Sequence, residues 1–234
     1  MEILYMILAA LTPVAVLLFY IFFKDREQPE PAKWLIRAFF FGCLSVIVSL
    51  CITTPLSFFW PIDSDSLTGV TDAFVYAFGM AAIPEECAKF IMLWLLLRKN
   101  PYFDEQFDGI VYAVCVGMGF AGVENILYLA EGLSDGSWVG IGISRAIFSI
   151  PGHFFFAVLM GYYYSLCHFG IKEGFLNRVM VLVAPILAHG IYDAILFSIR
   201  VNEMLSVILM LLFLVFFIRL AKKGKHKIKS LAGK

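Results

Sequence analysis

Residues 109–130, GIVYAVCVGMGFAGVENILYLA, carry a single charged side chain, Glu124. About 20 apolar residues cross a ~30 Å hydrocarbon core as a helix, so this run reads as a membrane span. Ala113, Gly117 and Ala121 recur every four residues within it. Small residues at that spacing let a neighbouring backbone approach closely, which turns Glu124 and Asn125 into a helix contact and away from lipid. Gly117-x-Gly119-x-x-Gly122 also has the spacing of a dinucleotide fingerprint. No strand precedes it and no βαβ unit surrounds it, so the match is spurious.

Six further segments are long and apolar enough to span: 3–23, 38–60, 73–97, 146–167, 179–199 and 204–221. The chain is 61% hydrophobic and 15% charged, against about 25% charged in soluble domains. The expected fold is therefore all-α, a polytopic membrane bundle of about seven helices forming one domain over 1–234. The first segment lacks a basic leader and is too long for a signal peptide, so it reads as an uncleaved helix.

Of the 18 lysines and arginines, all but Lys89, Arg145 and Arg200 fall on one side if residues 24–37 are cytoplasmic. The positive-inside rule then puts the N-terminus outside and the C-terminus in the cytoplasm. The loop from Pro61 to Asp72, with three aspartates and no base, fits the outer face. The basic tail, 222–234, is expected to lie on anionic lipid, at about 1 kcal/mol per basic residue near the surface. Lysines beside a span are ordinary topology signals, so nucleic acid is not an expected partner. Cysteines 43, 51, 87, 115 and 167 sit in or at the ends of spans without CxxC spacing and read as packing residues.

The chemistry lies in ionisable groups at membrane depth: Glu85, Glu86, Glu124, His153, His189 and Asp193. A charge there costs about 2.5–3.5 kcal/mol on insertion scales, so such groups mark a working site. Glu85 and Lys89 share a helix face at i, i+4, whereas Glu85 and Glu86 point about 100° apart. The sequence thus predicts that Lys89 neutralises one carboxylate and leaves the other free. Pro84 withholds the bond its N–H would give to the Met80 carbonyl and loosens the helix beside the carboxylates. His189 and Asp193, one turn apart, form a pair in which the carboxylate orients the imidazole. Counted at 1.5 Å per residue, the group falls between the midplane and the outer third, as one shared cavity requires.

Taken in order, Glu85-Glu86-x-x-Lys89, Asp108-Gly109, Gly119-Phe120-Ala121-x-x-Glu124-Asn125, His153 and His189-x-x-x-Asp193 resemble the PrsW-type intramembrane proteases, relatives of the CAAX-processing and bacteriocin-immunity proteases. The resemblance covers about 70–197. Lys89, Glu124 and Asp193 stand where the wider CAAX superfamily has Arg, His and Asn, and an ionised Asp193 cannot donate to an oxyanion as Asn can.

What the resemblance implies is an intramembrane endopeptidase of the bacterial plasma membrane. Its expected role is site-1 cleavage of a single-pass anti-sigma factor near the outer surface. Glu85 would act as general base on a water held by Glu86 or Glu124. His189, oriented by Asp193, would stabilise the tetrahedral intermediate, and His153 would support substrate or water. No cofactor is favoured, because HExxH is absent, although Glu85, Glu86, Glu124, His153 and His189 include enough donors for zinc. The alternative is a proton-coupled transporter using the same groups as a relay.

Overall fold

The computed structural model describes residues 1–59, 64, 66–171 and 174–232, apart from the side chain of residue 203. Pro61, Asp63, Asp65, Lys172 and Lys234, all used in the topology reading, lie outside these residues. Among the described residues the secondary structure is helical throughout, with no strand. The elements are α1 (Glu2–Lys24), α2 (Ala32–Phe59), α3 (Val70–Tyr76), α4 (Ile83–Leu97), α5 (Asp108–Glu131), α6 (Trp138–Ser144), α7 (Ile150–His168), α8 (Phe175–Val201) and α9 (Ser206–Leu231).

Two of the expected spans are interrupted. A π turn, Ala77–Ala82, joins α3 to α4, and a second, Arg145–Ser149, joins α6 to α7. Each is separated by a single isoleucine from a proline, Pro84 or Pro151. A proline supplies no N–H to the carbonyl four residues back, and its ring crowds that carbonyl, so the preceding turn widens to i→i+5 bonding. The loosening expected at Pro84 is therefore a specific bulge, and Pro151 makes a second one on the facing helix.

Five helical stretches are long and apolar enough to cross a membrane: α1, α2, α5, the composite Trp138–His168 and α8. The chain is a multi-pass helical membrane protein. Helix α5 is its axis, with α1, α2 and α7 packed around it and α8 packed against α7, α3 and α9. Burial follows this order: the apolar window of α5 is 78% buried, those of α1 and α2 only 22%. Outward side chains such as Phe19, Phe40, Ile47 and Leu211 are exposed, which is the face lipid requires.

Small residues set the distances around α5. A Cβ on Gly119 would lie 2.0 Å from the Phe39 carbonyl oxygen of α2, and one on Gly117 would lie 2.7 Å from Ala157 Cβ of α7. Backbones approach this closely only where a side chain is missing. The face carrying Gly117 and Glu124 accordingly meets α7.

The last helix departs from the expected 204–221 span followed by a tail. Helix α9 runs unbroken to Leu231, and Lys227, Ile228 and Leu231 are buried. Lys227 Nζ stands 3.4 Å from the centre of the Tyr162 ring and 4.4 Å from that of Tyr163. A cation over two tyrosine faces is attracted by their negative π surfaces. One face of the basic tail thus docks on the bundle, while Lys222, Lys223, Lys225 and Lys229 remain exposed.

Candidate active site

All six expected site residues converge on one cluster. Helix α4 supplies Glu85 and Glu86, α5 supplies Glu124, α7 supplies His153, and α8 supplies His189 and Asp193. The cluster forms the floor of a cavity of about 510 Å3 whose walls include Glu85, Glu124, His153, His189, Asp193, Tyr128 and Arg145. Glu86 is fully buried behind this floor.

Lys89 occupies the middle. Its Nζ donates to Glu86 Oε1 at 2.8 Å and to Glu85 Oε2 at 3.2 Å, and it lies 3.2 Å from His153 Nδ1. The ammonium also sits over the Phe120 ring, 3.9 Å from its centre. The expectation that Lys89 would serve one glutamate and leave the other free is corrected: it serves both. Adjacent residues do leave a helix in different directions, but a four-carbon lysine stem reaches the i−3 and i−4 positions at once.

The two histidines are held alike. His153 Nε2 lies 3.0 Å from Glu124 Oε2, and His189 Nε2 lies 3.1 Å from Asp193 Oδ2. Each ring therefore turns Nδ1 inward, that of His189 to 2.9 Å from Glu86 Oε1. The Phe156 ring stacks on His189 with centroids 4.8 Å apart and fixes its plane.

Arg145, one of the three basic residues off the cytoplasmic side, is also part of the cluster. It donates to Glu124 Oε2 at 2.5 Å and, through Nε, to Asn125 Oδ1 at 2.7 Å. Its guanidinium also lies over the Tyr128 ring, 4.1 Å from the centre. Asn125 in turn donates to the Ala10 carbonyl of α1 at 2.8 Å. The sequence carries little signal for this, since an arginine directly before an apolar run ordinarily marks only the end of a span.

Glu85, Glu86, His153 and His189 each present a donor atom such that all four lie within 4.8 Å of one another. Glu86 Oε2 is buried and accepts no hydrogen bond. Two imidazoles and two carboxylates are donors suited to zinc. A carboxylate on the outer nitrogen of each ring is the usual support for a metal-binding histidine. The residues present fit such an ion, and Lys89 Nζ, within 3.2 Å of three of the four, stands where a positive charge is needed.

Residues 30–220 match the family model described as "PrsW family intramembrane metalloprotease". The chain belongs to the PrsW family. A PrsW protease of Clostridioides difficile is 36% identical over 81% of this chain and 78% of its own length. The PrsW proteases of Oceanobacillus iheyensis and Bacillus subtilis are 33% and 31% identical, over 94% and 93% of this chain and 96% and 94% of their own. No solved structure matches the chain. Family membership makes the protein an intramembrane peptidase and sets aside the transporter reading.

Proposed function

We propose that the protein hydrolyses a peptide bond of a single-pass membrane protein close to the outer face of the bacterial plasma membrane. An anti-sigma factor undergoing its first, site-1 cleavage is the substrate class. The observation that carries this reading is the convergence of Glu85, His153 and His189 on the floor of a 510 Å3 cavity, with Glu86 directly behind them. The cavity lies at the C-terminal end of α5, opposite the basic ends of α1, α4 and α9, which the positive-inside rule assigns to the cytoplasm.

Glu85 is the member of the glutamate pair that lines the cavity. It takes the proton of the attacking water and later delivers it to the leaving amine. Arg145 and Asn125 hold Glu124, Glu124 and Asp193 hold the two imidazoles, and Lys89 keeps Glu86 and Glu85 together as like charges. If a zinc-type ion is resident, Glu86, His153 and His189 would hold it. Bound there, it would supply Lewis acidity to the water and to the scissile carbonyl. That three-donor set with an open fourth position is the pattern of catalytic zinc sites. The exposed lysines of α9 would meet anionic lipid.

Purified protein reconstituted with single-pass substrates should cut on the extracytoplasmic flank or in the first helical turns there, where the backbone unwinds at low cost. Cysteines placed beside Glu124 and Asp193, in a background lacking the native cysteines, should react with an impermeant thiol reagent from outside. Labelling from the cytoplasmic side alone, or a cytoplasmic cut, overturns the site-1 assignment.

A further inference from the structure

On the opposite, basic face, a second group of carboxylates has no part in the proposed hydrolysis. Asp25 follows the last residue of α1, Glu105 lies in the link from α4 to α5, and Asp108 opens α5. One oxygen from each lies within 4.8 Å of the other two. Glu30 stands next to them, accepting a hydrogen bond from the Tyr112 hydroxyl.

The group lacks the neutralisation seen around Lys89. No lysine or arginine pairs with Asp25, Glu105 or Asp108 among the described residues, although Lys24 and Arg26 line the adjoining cavity. Asp108 is fully buried; its Oδ2 accepts the N–H groups of Asp104 and Glu105 at 3.1 and 2.8 Å, while its Oδ1 accepts nothing. Asp25 is 4% exposed; its Oδ2 accepts the Glu30 N–H at 3.3 Å, and its Oδ1 is likewise without a partner. Asp25 also sits at the negative end of the α1 dipole, where a carboxylate is disfavoured. Buried acceptors left empty on clustered carboxylates are costly, and either shared protons or a cation must offset the charge.

We propose that Asp25, Glu105 and Asp108 bind a hard divalent cation of the magnesium class. All the donors are oxygens, as such ions demand, and magnesium takes few carboxylates and keeps several waters. The adjoining cavity, about 420 Å3 and lined by Asp25 and Glu105, has room for those waters at ~30 Å3 each. The ion joins the end of α1 to the start of α5, the helix that carries Glu124 at its other end.

The test titrates chelator-stripped, full-length protein in detergent with Mn2+, reading free Mn2+ by electron paramagnetic resonance, and then competes with Mg2+. Thermal unfolding with and without Mg2+, at constant ionic strength, runs in parallel. One saturable Mn2+ site displaced by Mg2+ is expected, weakened at least about tenfold by D25N and by E105Q, since affinity follows ligand charge. Mg2+ should raise the melting temperature of the unmodified protein and not that of either variant. H189Q identifies any Mn2+ held by the Glu85 cluster, which D25N and E105Q should leave in place. D108N also alters the caps on Asp104 and Glu105, so the two other variants carry the test. Mn2+ binding unchanged by both, or no saturable site up to the order of 10 mM, overturns the proposal. So does a D25N protein that is more stable than the unmodified one without any ion effect, because shared protons would then neutralise the carboxyls.

Discussion

Replacing Gly117 by leucine tests whether the α5–α7 contact sets the catalytic geometry. A Cβ at this position would stand 2.7 Å from Ala157 Cβ and 3.5 Å from the His153 carbonyl oxygen. Ordinary carbon contacts are about 3.5–4.0 Å, so alanine alone must part the helices by about 1 Å, and leucine by more. His153 Nε2 and Glu124 Oε2 are 3.0 Å apart; a further ~1 Å takes them outside hydrogen-bonding range. Overpacking costs about 1–3 kcal/mol of stability, and a misplacement of about 1 Å costs about 10²-fold in rate. Cleavage of a reconstituted single-pass substrate, measured beside a denaturant unfolding curve, should rank unmodified protein above G117A and G117A above G117L. A G117L protein with the unmodified rate and unfolding midpoint refutes the reasoning and shows that the helices adjust without moving Glu124.

E85Q should lower cleavage by about 10²–10⁴-fold, the usual worth of a general base, with normal abundance because an amide is cheaper in hydrocarbon; near-normal cleavage removes Glu85 from that role. E86Q should be equally inactive because it takes a charge from both Lys89 and His189, and an active variant would show that Glu86 only packs. Chelation should abolish cleavage and zinc should restore it, with metal analysis giving about one ion per chain that H189Q loses; full activity in protein verified to be metal-free would leave Lys89 and Arg145 as the permanent compensating charges. R145K keeps the charge but not the two-point grip on Glu124 and Asn125, so a loss of about tenfold or more is expected, and unmodified kinetics would make Arg145 a simple counter-ion.

The architecture was legible because hydrocarbon imposes a length and a composition: each of the seven apolar runs corresponds to helix in the structure. The six candidate residues, which the structure gathers into one cluster, were legible for the related reason that a charge in such a run is costly without a purpose. Arg145 escaped because an arginine at the start of an apolar run marks a helix end when read alone. Only the fold reveals that the helix begins at Trp138 and that Glu124 waits across from it. The π turns before Pro84 and Pro151 were half-legible, since proline guarantees a lost bond but packing decides whether the helix kinks, breaks or widens. Asp25 and Glu105 gave no signal, being polar residues where a helix ends or a link runs and polar residues are ordinary, and Asp108 entered only through the Asp108-Gly109 motif.

Charge balance connects the two ends of the molecule. Around the cavity, Glu85, Glu86, Glu124 and Asp193 face two permanent cations, Lys89 and Arg145, leaving two negative charges if both imidazoles are neutral. A low-dielectric interior does not tolerate that excess. Two protons on His153 and His189 would remove it, but a protonated ring has no lone pair with which to bind a metal. A divalent ion would remove it equally well and leave both rings neutral, with Nδ1 free inward and Nε2–H bonded to its carboxylate. The short approach of His189 Nδ1 to Glu86 Oε1, 2.9 Å, is met by an N–H donated to the carboxylate in the first state and by an ion between the two atoms in the second, because a bare lone pair facing a carboxylate is repelled. Chelation therefore decides between two complete electrostatic states of the site, and the same experiment on D25N and E105Q protein reports whether the basic face meets its own excess in the same way.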